Sequence, residues 1–403
     1  MLQHRLQSNY HASCSKPWSG LGCRSGFAFL RARAERCRGR LIVVRSAEEI
    51  AALTAVAHSE AVERERELLK SHATPQLREN LLKHGFADQA LPESHDELLQ
   101  LLAGANLKAR SQVVSFPLRK TPRSPRAIKS FLVAPIDVED VGFVNFLLDS
   151  GSSGALITGE LRDVLGLSPT DGQVVKGVDS SGLTLRQKVR LPPLRLGPQL
   201  LDIRDAYVTT LKSDHDIDVG GVLGLNFLRM FEVEICQDRK RMAFHPPGHI
   251  DKGVLDVAGM AVLHCDVLKG GLLGVPVSLN GSARFPAILD LGANFSILNW
   301  PAAELAGVRR GADGAPADSS MQEQVTSIDG QRSNRIRRGY LDVVLGGEDT
   351  SYVPSRSLAL MVRDIPSFAV LGFGESPVMV LGYDLLSADR LVLDLRNQRI
   401  FIK

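Results

Sequence analysis

Between residues 46 and 105, apolar positions recur at three- and four-residue spacings, as in Ile50, Leu53 and Val56 and again in Leu98, Leu101 and Leu102. That spacing is the mark of one helix face. Start and stop signals bracket three helices. Ser46 with Glu49 forms a capping-box pattern, and Thr74 precedes Pro75 with Gly85 where that helix should end. Ser94 with Glu97 opens a third helix running toward Gly104. A basic connector follows, Pro117 to Arg126, whose three prolines cannot continue a helix. From Ser130 onward the pattern changes to short β-branched and Leu-rich runs separated by Gly, Pro, Asn and Asp, the texture of an all-β fold.

Within that β region the chain repeats itself. Val144-Asn145-Phe146-Leu147-Leu148-Asp149-Ser150-Gly151 is echoed by Phe285-Pro286-Ala287-Ile288-Leu289-Asp290-Leu291-Gly292. Both continue into an apolar run, Ala155-Leu156-Ile157 and Phe295-Ser296-Ile297-Leu298. Val222-Leu223-Gly224 is echoed by Val380-Leu381-Gly382, lying 75 residues beyond Asp149 in one copy and 92 beyond Asp290 in the other. A third echo, Val175 to Asp179 against Val325 to Asp329, falls between these anchors, and each copy closes in a hairpin, Phe231 to Phe244 and Leu391 to Ile402. The period of 141 residues suits a duplicated domain, not a solenoid.

Composition narrows the function classes. With 403 residues, 44% hydrophobic and 23% charged, the chain can bury sizeable cores. No apolar run reaches the roughly 18 residues of a membrane span, so none is expected. The net charge of +3 hides an asymmetry: residues 1–46 hold eight Arg, Lys16 and one acid, Glu35. The remainder is net acidic, which argues against a nucleic-acid surface. The Arg- and Ser-rich leader, 1–45, reads as an organelle transit peptide, for a plastid in preference to a mitochondrion. Beyond it only Cys236 and Cys265 remain, too few for a disulfide framework. His and Cys spacings give no metal site, no cofactor motif stands out, and Lys269-Gly270-Gly271 reads as a turn.

Two Asp turns, each paired with its own apolar-apolar-Gly, resemble the lobe signature of the aspartic peptidases, pepsin-like and retroviral-type alike, over residues 128–403. The resemblance implies a mainly β, two-lobed acid-protease β-barrel fold with pseudo-twofold symmetry and a helical N-terminal extension. Its parts would be a transit peptide (1–45), a helical extension (46–116), a linker (117–127), an N-terminal lobe (128–250) and a C-terminal lobe (251–403). It also implies that Asp149 and Asp290 share a proton and activate a water against a peptide bond, with no metal or cofactor. Gly151 and Gly292 would turn the chain beneath them, Ser152 and Ala293 would keep room for the second carboxylate, and Gly224 and Gly382 would mark close backbone approach. Substrate-covering hairpins are expected around Gly177, Asp179 and Gly182, and around Asp329 and Gly330. No tyrosine lies between Asp149 and Asp205, so the first of these is closer to the retroviral pattern.

One position departs from the family. Leu291 stands where a hydroxyl residue usually braces the two lobes, so Ser150 could brace from its side without reciprocation. Two readings follow: an endopeptidase acting on peptide or protein substrates, or a weakened member of the fold that only holds peptides or protein partners. A monomer suffices for either, because the second lobe is already in the chain.

Overall fold

The computed structural model describes residues 61–403 apart from 85, 111, 122–130, 180–181, 210–218, 319, 321, 327–331, 337–340 and 355–359. The chain divides into two compact units, Met1–Ser111 and Gln112–Lys403. The helix expected after Ser46 lies outside the described residues, as does the leader.

In the first unit, residues 61–69 are helical, followed by helices Thr74–Lys83 and His95–Arg110. Their apolar faces meet in a core containing Leu77, Leu81, Leu98 and Leu102. Thr74 begins its helix, with Ala73 at the cap, and its hydroxyl instead meets His95 Nδ1 at 2.9 Å. Asp96 and Glu97 occupy the first turn of the last helix, where acids offset the helix dipole.

The second unit contains two ten-stranded sheets with the same strand order. In the first, the central path runs through strands Gly182–Arg190, Asp205–Thr209, Leu156–Thr158, Gly221–Leu223, Gly142–Leu148 and Phe131–Val138. The second follows Arg332–Ile336, Leu360–Val362, Ile297–Leu298, Met379–Leu381, Phe285–Leu289 and Leu273–Leu279. Pairing directions repeat as well. Gly221–Leu223 runs parallel to Gly142–Leu148, and Met379–Leu381 runs parallel to Phe285–Leu289. The sequence repeat is therefore a repeat of strand pairing.

A third sheet joins the two halves. Its six strands run in the order Val114–Pro117, Arg241–His245, Glu232–Cys236, Arg390–Asp394, Arg399–Ile402 and Ala261–His264. The two closing hairpins expected from the sequence thus pair with each other, Val233 opposite Leu393 and Ile235 opposite Leu391. Strand Val114–Pro117 falls where the sequence suggests the end of the helical extension. Arg119–Thr121, within the expected connector, pairs with Phe131–Val138. Backbone hydrogen bonds to neighbouring strands outweigh the proline punctuation at these positions. Cys236 and Cys265 are buried free thiols, and Lys269–Gly271 forms a short 3-10 turn with Gly270 and Gly271 at positive φ.

Candidate active site

Each aspartate sits at the end of an apolar strand, Asp149 after Gly142–Leu148 and Asp290 after Phe285–Leu289. The two turns are pinned in the same way. Asp149 N–H donates to the Leu223 carbonyl at 3.1 Å, and Asp290 N–H to that of Leu381 at 3.0 Å. Leu225 N–H then donates to the Ser152 carbonyl, and Tyr383 N–H to that of Ala293, both at 2.8 Å. Gly224 and Gly382 lie between these bonds. A β-carbon on Gly224 would come within 2.4 Å of the Ser152 carbonyl oxygen, and one on Gly382 within 2.7 Å of the Phe295 carbonyl carbon. Only glycine fits behind either turn.

The turns bring the two carboxylates together. A β-carbon on Gly151 would lie 2.6 Å from Asp290 Cγ, and one on Gly292 would lie 2.6 Å from Asp149 Cγ. The carboxyl groups share a hydrogen bond. Gly151 N–H donates to Asp149 Oδ1 at 2.7 Å, and Ala293 N–H to Asp290 Oδ1 at 2.9 Å. Burial raises Asp290 well above the usual carboxylate range, and the neighbouring Asp149 charge adds to that. Burial raises Asp149 too, and hydrogen bonds from Asp290 and from the N–H groups of Gly151, Ser152 and Gly292 reduce that rise without cancelling it. The pair therefore holds a proton between its two carboxylates, which leaves one of them to accept and the other to donate. Such a pair can take a proton from a water on one side and give one to a carbonyl oxygen on the other.

Ser150, fully buried, spans the two halves: its hydroxyl donates to the Leu289 carbonyl and accepts from Leu291 N–H, both at 3.0 Å. Leu291 offers no hydroxyl in return. Its side chain is buried in the main hydrophobic core. Ser152 turns its hydroxyl onto the Gly154 carbonyl at 3.1 Å, local to its own turn.

Beside each turn lies a row of apolar residues paired across strands. In the first half Leu147, Val222 and Leu156 are neighbours, with Val133 and Tyr207 at either end. In the second half the row is Ile288, Val380 and Ile297, and Phe368 of helix Pro366–Val370 packs with it. The first expected hairpin is present as strands Pro169–Asp179 and Gly182–Arg190, with Gly177 opposite Thr184 and Asp179 opposite Gly182. A β-carbon on Gly182, whose φ is +107°, would come within 3.3 Å of Pro366. The hairpin that starts in one half therefore ends against the other. A second hairpin, Gln322–Thr326 with Arg332–Ile336, occupies the equivalent place in the repeat, but Asp329 and Gly330 lie outside the described residues.

Other contributors gave little sign of themselves in the sequence. Asp384 accepts from both the hydroxyl and the N–H of Ser296, at 2.7 and 3.0 Å, and the same hydroxyl accepts from Gly382 N–H at 2.9 Å. This lock belongs to the second half alone, since Ala155 and Asn226 hold the matching places in the repeat. The acid directly after Gly382-Tyr383 was its only sequence signal. Among the described residues, no group of three or more His, Cys, Asp or Glu is arranged to hold a metal, and no helix is long and apolar enough to cross a membrane.

Residues 134–227 match a family model described as aspartyl protease. Comparison with curated proteins finds no match. Among solved structures, the chain is similar to a retropepsin-like aspartic protease from Rickettsia conorii, with 18% identity and a TM-score of 0.23, over 34% of this chain and 92% of that one. The stretch that carries the Asp149 turn and its Gly224 strand is thus similar to the aspartyl protease family.

Proposed function

We propose that the chain is an aspartic endopeptidase built as two pseudo-symmetric lobes in a single polypeptide, with Asp149 and Asp290 as its catalytic pair. The reciprocal fit of Gly151 against Asp290 and Gly292 against Asp149 carries this reading, because it holds two carboxylates where they must share one proton. Asp149 would draw a proton from a water as its oxygen adds to the scissile carbonyl, while Asp290 protonates the carbonyl oxygen. Collapse of the resulting diol then breaks the C–N bond as one hydroxyl returns its proton to Asp290, and the amine leaves with the proton that Asp149 had taken from the water. The apolar rows that contain Leu147 and Ile288 offer walls for substrate side chains on either side. A monomer holds both aspartates, and the basic leader would direct import into an organelle, the plastid first.

The test is incubation of the full chain with a mixed peptide library from acidic to mildly alkaline pH, with and without a statin-type transition-state mimic. Cleavage that the mimic blocks, and that Asp149→Asn and Asp290→Asn each remove, is the expected result. Cleavage at the wild-type rate by either variant overturns the assignment. Leu291 and the contact of Gly182 with Pro366 favour a second reading, a peptide-holding groove with little turnover. In that case wild type and both variants bind peptide alike and none cleaves.

A further inference from the structure

The one-sided brace at Ser150 raises the question of what holds the Asp290 turn from the other direction. Tyr383 follows Gly382 directly and is buried. Its backbone N–H holds the Ala293 carbonyl at 2.8 Å, and Ala293 N–H in turn holds Asp290 Oδ1 at 2.9 Å. A displacement of Tyr383 is therefore passed to the Asp290 carboxylate through two hydrogen bonds.

The side chain of Tyr383 leaves its own half. Its hydroxyl accepts from Gln237 Nε2 and also bonds Ser387, at the end of helix Tyr383–Leu386. Gln237 belongs to the first half, in the turn that joins strands Glu232–Cys236 and Arg241–His245. Lys120 completes the cluster, with its ammonium 3.5 Å from Gln237 Oε1 and 5.2 Å from the centre of the tyrosine ring. That position suits a cation over an aromatic face. Gln237 is itself tethered, its N–H donating to the Asp389 carbonyl at 2.8 Å.

The repeat shows why this matters. At the position equivalent to Tyr383, the first half has Leu225, which makes the same backbone bond but carries no hydroxyl. Hydroxyls are thus distributed crosswise: Ser150 with Leu225 in one half, Leu291 with Tyr383 in the other. Each half sends one hydroxyl toward its neighbour, from a different place.

We propose that Tyr383 is a positioning residue for the carboxylate pair, tying the Asp290 turn to the first half through Gln237 in place of the hydroxyl that Leu291 lacks. The proposal rests on the reading of Asp149 and Asp290 as the catalytic pair. It adds a residue that acts on the pair through the Ala293 backbone.

The experiment compares Tyr383→Phe, Gln237→Leu and Gln237→Glu in the full chain, each checked for folding by thermal unfolding. Small misplacements of catalytic groups cost up to about 100-fold in rate, so a loss of about tenfold in kcat is expected for Tyr383→Phe and Gln237→Leu, with KM within about twofold of wild type. Loosening the pair also weakens the mutual repulsion of its carboxylates, so the alkaline limb of the pH profile should move to lower pH. Gln237→Glu reverses the bond, accepting from the Tyr383 hydroxyl where Gln237 donates to it, keeps its acceptor for Lys120, and should retain most of the turnover. If Tyr383→Phe fails to fold, the two Gln237 variants decide the matter. An active wild type whose Tyr383→Phe or Gln237→Leu variant keeps both kcat and the alkaline limb overturns the tie and leaves the peptidase reading standing. A wild type with no turnover overturns the peptidase reading instead. The tie is then read from carboxyl-carbon NMR titration of the pair: a lower upper titration step in Tyr383→Phe supports it, and an unchanged one overturns it.

Discussion

Gly151 lies against Asp290 so closely that a methyl group in place of its hydrogen would come within 2.7 Å of the carboxylate oxygen Oδ2. Space, not backbone conformation, demands glycine there, since the φ of Gly151 is not positive. Gly151→Ala should push the Asp290 carboxylate aside and lower turnover by about 100-fold, the cost of a displacement of about 1 Å. Gly292→Ala should do the same through Asp149. Peptidase assays alongside thermal unfolding check this, and an alanine variant with wild-type kcat would show that the pair tolerates displacement.

The raised pKa of Asp290 makes stability depend on pH. Its folded pKa lies above the unfolded value, so the protonated form favours folding, and that contribution is lost as pH rises through the folded pKa. Asp290→Asn cannot ionise. It should therefore melt higher than wild type at neutral pH, with the difference shrinking toward zero as pH falls below about 4, near the ordinary aspartate value. Melting curves across that range measure it directly. A variant that melts lower at neutral pH would mean that the pKa of Asp290 is not raised on folding.

What could be read from the sequence was what repeats locally. Asp149, Asp290, Gly224 and Gly382 stand out because a strand-turn motif recurs in order, and each makes its contacts within its own turn or with the matching turn of the other half. Gln237 does not stand out, because it is an ordinary turn residue whose partner, Tyr383, lies 146 positions away. The joining sheet was hidden for another reason. Strand Glu232–Cys236 is buried at every position yet carries two acids, so its alternation reads as half-exposed. Helix Pro366–Val370 has only five residues, too few for a helical period to emerge.

Those buried acids yield a prediction of their own. Glu234 accepts from Arg390 Nε at 2.8 Å and from Arg241 at 3.1 Å, with His245 Nε2 3.7 Å away. Burial alone would raise its pKa, but His245 and Arg390 reverse this and hold it at about 2. Glu234→Ala strips Arg390 of its carboxylate across the join between halves. The expected loss at neutral pH is about 3 kcal/mol, at the low end for a buried pair because both arginines remain partly in water. The sign follows from the depressed pKa: the contribution is present above about 4.5 and fades toward about 2. Denaturant unfolding of wild type and variant should therefore converge as pH falls through that window, and a gap independent of pH would assign the loss to packing.

Leu291 is the place where the motif breaks, and its surroundings decide what a repair would do. At 2% exposure it belongs to the main core of the unit, while Ser150 already uses its hydroxyl on both Leu289 and Leu291 backbone groups. Leu291→Thr would remove buried carbon and leave space that packing cannot fully close. It would also place a hydroxyl in an apolar site, at a cost of about 1 to 3 kcal/mol if it finds no partner. A reciprocal brace could recover about 1 kcal/mol of that. Lost packing outweighs the recovered bond, so the variant should melt lower and turn over no faster than wild type. A Leu291→Thr protein that is both more stable and faster would show that the leucine is a lesion in the brace, and that Tyr383 compensates for it only in part.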